Sequence, residues 1–260
     1  MHEAYEDFAR IYDILQDNID YPGWKDYITG VLRTYGITEG LILDLGCGTG
    51  TMTELLAAEG YDMIGVDASD EMLMQAAEKR EASGHDILYL LQDMQEFELY
   101  GTVRAVVSVC DSLNYMLDEE ALLSVFCLVN NYLDPGGIFV FDVNTPAKYQ
   151  AIGEQVIAEN RDEGSFIWEN DYDDGTGINT CALTLFLPRE DGLYEKDEEL
   201  HVQRGWNAGE ILALLEKAGL RPEGVYEAYT GREPGKDTGR LTFIAREIIK
   251  EKQKEDIKNE

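Results

Sequence analysis

Basic residues are scarce in this 260-residue chain: 21 lysines and arginines stand against 52 aspartates and glutamates, a formal charge of −31. A surface of that sign repels phosphate backbones and anionic membranes, so neither nucleic acid nor membrane is an expected partner. Zinc-type ligands are thin as well. Three histidines and four cysteines (Cys47, Cys110, Cys127, Cys181), with no CxxC pair, provide neither a metal-ligand spacing nor a disulfide framework. No metal site is expected. No apolar run approaches bilayer-spanning length, and the opening MHEAYEDFAR lacks the basic-then-apolar pattern of a signal peptide. The expectation is a soluble, cytoplasmic protein. Apolar residues still make up 44% of the chain, enough for a full core without covalent staples.

The periodicity of these apolar residues divides the chain. Residues 3–34 carry helical spacing rich in aromatics, with Pro22-Gly23 predicted to split the stretch into two helices. A short apolar run, Leu41 to Leu45, ends in Gly46-Cys47-Gly48-Thr49-Gly50 and is followed by a helix to about Glu59. Tyr61–Val66 reads as a second strand ending at Asp67, and Ser69 as the N-cap of a helix over 70–82. Ile87–Leu91 and Val103–Val109 are read as strands buried on both faces. A helix over 119–132 stops at Asp134-Pro135-Gly136-Gly137, a turn signal, before a fifth strand, Ile138–Val143. Strands alternating with helices require crossovers, which means a doubly wound, mostly parallel α/β sheet.

That alternation then ceases. From Ser165 to Trp206 the chain reads as a three-stranded antiparallel meander inserted after the fifth strand, with turns at Asp173–Gly177 and Arg189–Gly192. Helical spacing resumes at Asn207 and stops at Gly219, and Gly224–Thr230 with Arg240–Arg246 form a final antiparallel pair. The expected organisation is a binding core over 1–145, an inserted lid over 146–206, core-completing elements over 207–249, and a charged, frayed tail over 250–260.

A strand, a GxGxG turn and a helix make a nucleotide-type cradle, because glycines let a ligand lie on bare backbone. The dinucleotide fingerprint is GxGxxG; here Thr51 occupies its third glycine position. Asp44, two residues before Gly46, repels a pyrophosphate but suits a cationic amine. S-adenosylmethionine (SAM) carries an ammonium, a sulfonium and no phosphate. Asp67, at the end of the second strand, is placed to accept from ribose hydroxyls. A glycine turn that merely packs a helix accounts for the glycines but not for the two carboxylates. The reading favours SAM over NAD.

With Leu43-Asp44-Leu45-Gly46-Cys47-Gly48-Thr49-Gly50, Gly65-Val66-Asp67-Ala68-Ser69, Met72, Gln92-Asp93-Met94 and Leu133–Gly137, the sequence resembles the class I SAM-dependent methyltransferases over roughly residues 35–145. The resemblance implies that Gly46 to Gly50, including Cys47, line the methionyl part of SAM. It implies that Asp67 holds the ribose, that Asp93 accepts from the adenine amino group, and that Met94 borders the ring. Ala68, Met72 and Cys110 join them as cofactor-binding candidates. The C-terminal strand pair matches the family's seven-stranded sheet. The N-terminal Tyr5-x-x-Phe8-Ala9-x-x-Tyr12-Asp13 and Cys110–Tyr115 are similar to a small-molecule branch that includes glycine and sugar-amine N-methyltransferases. In that branch, N-terminal aromatics close over the cofactor and an insertion after the fifth strand covers the substrate.

Methyl transfer asks the protein chiefly for positioning and exclusion of water. Electron-rich rings attract a sulfonium, so Tyr5 and Tyr12, seven apart on one helical face, are cofactor candidates as well as ordinary core aromatics. The fourth strand delivers Asp111, Ser112, Asn114 and Tyr115 to the carboxyl edge of the sheet. Asp111 is a candidate to take a proton from an attacking amine, Tyr115 to cover the site and Asn114 to touch substrate; capping of the turn competes for Asp111. On the last inserted strand, His201 is a candidate general base and Arg204 a candidate clamp for a substrate anion. Being three apart they face opposite sides, so only one can point inward. Asp111-Ser112-Leu113-Asn114-Tyr115 lacks the Pro-Pro-aromatic turn of enzymes that methylate base amines and the Pro-Cys of those acting on pyrimidine carbon. The expected activity is methylation of a small polar molecule on nitrogen or oxygen; a SAM-binding protein without catalysis and an NAD-dependent oxidoreductase are the alternatives.

Overall fold

Each short apolar run between residues 41 and 144 finds its partner beside it, and the crossovers between them keep the strands parallel. The computed structural model describes residues 12–15, 19–189 and 191–250. Its elements open with α1 (Tyr12–Leu15), α2 (Tyr21–Thr34), β1 (Leu41–Leu45), α3 (Thr51–Ala58), β2 (Asp62–Asp67), α4 (Asp70–Ser83) and β3 (Ile87–Leu91). There follow β4 (Val103–Ser108), a single 3-10 turn (Ser112–Tyr115), α5 (Glu119–Tyr132) and β5 (Leu133–Asn144). A second group, α6 (Pro146–Ile152), β6 (Val156–Asn160), β7 (Ser165–Asp173), β8 (Ile178–Pro188) and β9 (Tyr194–Arg204), precedes α7 (Ala208–Lys217), β10 (Leu220–Glu227) and β11 (Arg240–Glu247). The seven-stranded sheet runs β10-β11-β5-β4-β1-β2-β3, parallel except at β10 and β11, and β6 to β9 form a separate antiparallel sheet.

The sheet buries a hydrophobic layer on each face. On one side Phe126 and Leu215, from α5 and α7, join a cluster with Phe139, Phe141 and Phe243 of β5 and β11. On the other, Ile28 and Leu32 of α2 and Leu56 of α3 meet Ile138 and Val140 of β5. Alternation along β5 therefore places Asp142, two beyond Val140, on the α2 face, where it is fully buried. Among the described residues no helix is long and apolar enough to cross a membrane.

Four expectations about elements need correction. Pro22-Gly23 does not separate two helices; it lies in the first turn of α2, where proline's missing N–H costs nothing, and Asp20 Oδ1 accepts from Gly23 N at 3.0 Å. β3 is not buried on two faces: it is an edge strand, with Leu88 51% and Leu91 58% exposed. Asp134–Gly137 is not a turn before β5 but a bulge within it, since β4 pairs Val103 with Leu133 and then Ala105 with Ile138. The second sheet has four strands, not three, and α6 precedes it. β6 is exposed along its whole length, so its sequence carries no alternating signal. Tyr5, Phe8 and the tail beyond Lys250 lie outside the described residues.

The second sheet is an insertion in the strict sense, because it departs and returns at one point. A Cβ on Gly205 would fall 2.9 Å from Pro146 N, and Trp206 N donates to Asn144 O at 3.1 Å. Its inner face brings Phe166, Leu183, Leu185 and Leu187 against Met72 of α4 and Tyr12 of α1. Those two residues belong to the crevice described next.

Candidate functional site

Strand β1 runs out at the carboxyl edge of the sheet into a left-handed turn. Gly46, Gly48 and Gly50 have φ of +74°, +53° and +74°, a region that L side chains resist. The N–H groups of Gly46 and Cys47 both donate to Val66 O, at 2.8 and 3.0 Å, which ties the turn to β2. Each glycine serves differently. A Cβ on Gly46 would meet Ser112 Cβ at 2.6 Å, and one on Gly50 would meet Tyr89 Oη at 2.4 Å, whereas Gly48 has open space around it. Gly48 presents bare backbone to a cavity of about 340 Å³; Gly50 caps α3 and does not line it, so its predicted cofactor contact is corrected to a packing role.

The two carboxylates of the motif also part company. Asp67 lines the cavity, as expected, with Oδ2 accepting from Gly48 N at 2.7 Å and Oδ1 from Ser69 N at 3.0 Å. The Ala68 N–H also acts on this carboxylate, which keeps lone-pair capacity for a hydroxyl. Burial pushes its pKa up, against the pull of those backbone donors. Asp44 does not reach the cavity. It is fully buried beneath the turn, Oδ2 accepting from Thr53 Oγ1 at 2.6 Å and Oδ1 without a partner. Desolvation, with the Asp67 charge adding and the Thr53 bond subtracting, raises its pKa to about 7. The alternation that makes β1 a buried strand turns Asp44 inward, so its role is support of the turn rather than contact with a ligand.

Cys47, Ala68, Met72, Asp93 and Met94 line the cavity as the sequence predicts. At the other end Tyr12, Cys110, Ser112 and Tyr115 do so too, joined by Tyr21 and Met116, which sequence reasoning missed. Tyr21 had a signal: Asp20-Tyr21-Pro22 is a helix opening, and a residue at that opening faces the sheet's carboxyl edge. Its hydroxyl accepts from Cys110 Sγ at 3.4 Å, and burial raises the pKa of both groups well above their usual range. Ser112 Oγ donates to Gly46 O at 3.1 Å and bolts the 3-10 turn onto the glycine turn. Above it, Asp13 of α1 accepts from Thr49 Oγ1 at 2.7 Å and pairs with Lys79 Nζ of α4 at 2.5 Å.

Three further candidates prove to be struts. Asp111 lies outside the cavity lining, paired with Arg240 at 2.6 Å and accepting from Gln203 Nε2 at 2.9 Å. Burial alone would raise its pKa, but Arg240, Lys148 and Gln203 outweigh it and hold the carboxyl below its usual range. Asn114 is fully buried; its amide donates to Asn144 O and Arg204 O, at 2.9 and 2.7 Å, and accepts from Asn144 N. Its hydrogen-bonding groups are engaged by the core and the exit of β9, leaving no substrate contact. Arg204 points away from the cavity, onto the Trp206 ring at 4.0 Å and Glu210 at 2.8 Å. His201, on the opposite face of β9 as expected, is buried and 3.0 Å from Tyr115 Oη without itself lining the cavity.

The chemistry of the lining discriminates between ligands. Among the described residues it holds four carboxylates (Asp67, Asp70, Glu71, Asp93) and no lysine, arginine or histidine. A diphosphate-bridged coenzyme would meet only like charge there; a molecule with an ammonium and a sulfonium meets opposite charge. A ribose finds Asp67, and a flat base finds the apolar Met94. The residues fit SAM.

Comparison with known proteins agrees. The family described as methyltransferase domain matches residues 42–137. A protein of Geobacillus sp. (strain WCH70) named as a methyltransferase is 33% identical over 246 residues, which span 94% of this chain and 99% of that one. The crystal structure of a S-adenosylmethionine-dependent methyltransferase from Clostridium acetobutylicum ATCC 824 has a TM-score of 0.85 at 29% identity, covering 95% of this chain and 100% of that chain. The dTDP-3-amino-3,4,6-trideoxy-alpha-D-glucopyranose N,N-dimethyltransferase of Streptomyces venezuelae is 31% identical over 139 residues, 52% of this chain and 56% of its own. Similarity along the whole length, together with the turn and its acidic lining, places the chain in the SAM-dependent methyltransferase family, an enzyme with SAM as its cofactor.

Proposed function

We propose that this methyltransferase acts on nitrogen or oxygen of a small polar molecule, held where Tyr12, Tyr21, Cys110 and Tyr115 close one end of the cofactor crevice. The observation that carries this reading is enclosure. The inserted sheet packs onto α1 and α4 through Tyr12 and Met72, both of which line the crevice, so the reacting end sits beneath a second layer of protein. An opening of that kind suits a metabolite better than a loop of a macromolecule. The net charge of −31 argues in the same direction, against docking on a polyanion. The Streptomyces relative, named for N,N-dimethylation of an amino sugar nucleotide, lends support to an amine acceptor.

In this reading Gly48 offers backbone and Asp67 its free lone pairs to the nucleoside, while the acidic wall attracts the methionyl ammonium. SAM supplies a methyl carbon bonded to a good leaving group. The chain's own task is to orient the acceptor and exclude water, with Tyr12 and Tyr21 presenting ring faces that favour positive charge, each worth on the order of 1 kcal/mol when desolvated. The test is calorimetric titration with SAM and S-adenosylhomocysteine, followed by release of S-adenosylhomocysteine in the presence of a panel of amino sugars, amino acids and phenols. Methylation of a small acceptor is the expected result. Turnover confined to RNA, DNA or protein would overturn the assignment.

A further inference from the structure

The inner face of the inserted sheet carries polar residues where apolar ones would pack better. Along β9, Asp197, Glu199 and His201 alternate inward and are buried, opposite Leu185, Leu183 and Cys181 of β8. The Glu199 side chain has no exposed surface and His201 is 5% exposed. Burying a carboxylate and an imidazole side by side carries a desolvation cost that hydrophobic residues of equal size would not. The fold does not require them, since β7 and β8 present Phe166, Leu183 and Leu185 at neighbouring places.

Their geometry leads to the crevice. Glu199 Oε2 lies 3.1 Å from His201 Nε2, at ion-pair distance though out of line for a hydrogen bond. The other ring nitrogen, Nδ1, is 3.0 Å from Tyr115 Oη, and the Trp168 ring lies parallel to the imidazole within 10°. Tyr115 belongs to the 3-10 turn that lines the crevice beside Ser112 and Met116. Among the described residues, groups that face His201 include Tyr115 from the turn, Cys181 from β8, Trp168 from β7 and Glu199 on its own strand, with Asp197 buried further along the same face. The negative charge of Glu199 favours a proton on the near nitrogen, Nε2. That leaves the Nδ1 lone pair to accept from the tyrosine hydroxyl.

We propose that Glu199, His201 and Tyr115 form a proton relay that takes up the proton an acceptor sheds on methylation. The inference rests on the methyl-transfer reading above. The acceptor's lone pair becomes its bond to the methyl carbon, and the pair of the broken carbon–sulfur bond stays on sulfur. The acceptor's proton passes to Tyr115 Oη as the tyrosine gives its own to His201 Nδ1, and the resulting imidazolium sits beside the Glu199 carboxylate until it returns a proton to water. Tyr115 is the member that meets the acceptor; His201 and Glu199 act through it.

The experiment exploits the chain's three histidines, which make imidazole nitrogen NMR tractable. The His201 signal, assigned by its loss in His201→Asn, is compared at one pH between protein saturated with S-adenosylhomocysteine and protein saturated with SAM. A relay that reaches the crevice moves the His201 nitrogen signals between the two complexes, which differ by one methyl group and its positive charge. Glu199→Gln moves the tautomer population toward a proton on Nδ1. With any acceptor the wild type accepts, Tyr115→Phe and His201→Asn lose on the order of 100-fold in kcat while Kd for S-adenosylhomocysteine stays within about twofold. Identical His201 signals in the two complexes, or variants with wild-type kcat, overturn the relay. Failure of S-adenosylhomocysteine to bind the wild type overturns the cofactor reading instead, and the calorimetry separates the two.

Discussion

Asp142 Oδ1 accepts the backbone N–H of Asp111 at 2.9 Å, and through this bond β5 fixes the end of β4. Its other oxygen accepts from Cys110 N at 3.0 Å and from Tyr229 Oη, while Arg240 lies 3.4 Å away. Cys110, Asp111 and Tyr229 are the non-glycine residues with φ between +54° and +58° among those described, and all three bond to this one carboxylate. Left-handed backbone costs on the order of 1 kcal/mol per residue and persists where surroundings over-determine it. Asp142→Ala strands the Tyr229 hydroxyl and two backbone N–H groups and leaves Arg240 with Asp111 alone, so urea denaturation should register a loss of about 3–5 kcal/mol. Asp142→Asn, which keeps one accepting oxygen, should fall between. A loss under about 1 kcal/mol for the alanine variant would remove Asp142 as the organiser of this corner.

Much of the core and crevice was legible in the chain because local and global signals coincide there. Leu41–Leu45 followed by GxGxG states a strand and a turn in ten residues, and Asp67 ends the next apolar run where the sheet's carboxyl edge must be. Asp44 misled because spacing gives a residue's place along a strand but not what its side chain meets; inside a fully buried strand it faces the core. Asn114 misled for a related reason, since its partners lie about 30 and 90 residues away; Arg204 misled because its side chain turns back onto near neighbours, Trp206 and Glu210. β6 carries no pattern because neither face is covered, and Tyr115 pairs with His201 only through a fold that brings together residues 86 apart.

Asp67 should be the largest single side-chain contribution to cofactor affinity. Asp67→Asn keeps the shape but replaces one accepting oxygen by a donor, so either Gly48 N or the ribose loses its acceptor. Calorimetry with S-adenosylhomocysteine should report a loss of about 1–3 kcal/mol, roughly 10- to 100-fold. Thermal melting of the ligand-free protein separates a weakened ribose contact from a loosened turn. An unchanged Kd would leave the ribose without its assigned partner.

The Asp13–Lys79 pair latches α1 over the glycine turn, yet both side chains are partly exposed, 42% and 29%. Such a pair contributes less than about 1 kcal/mol and is screened by salt. Lys79→Ala should leave stability nearly unchanged but speed S-adenosylhomocysteine dissociation a few-fold, because Tyr12 rides on the same helix and lines the crevice. Raising salt should speed release from the wild type and much less from the variant. Equal salt dependence in stopped-flow release would show that the latch does not gate the cofactor.

Asp44 makes stability depend on pH in a direction opposite to that of a salt-bridged carboxylate. Its pKa is about 7 in the folded chain against 3.8 ordinarily, so over that interval the folded protein holds a proton that the unfolded chain has released. Folding then takes up a proton, and stability falls as pH rises from near 4 to near 7, flattening beyond. Asp44→Asn is neutral throughout and still accepts from Thr53. The melting temperature of this variant minus that of the wild type should therefore climb between pH 4 and pH 8. The span is on the order of 2–4 kcal/mol, or about 5 °C or more for a chain of this size. Because only the difference between the two proteins is read, the other carboxylates cancel, apart from Asp67, whose charge repels that of Asp44 in the wild type. A difference that stays flat across the range would mean that Asp44 is ionised at low pH and that the partnerless Oδ1 is satisfied by water.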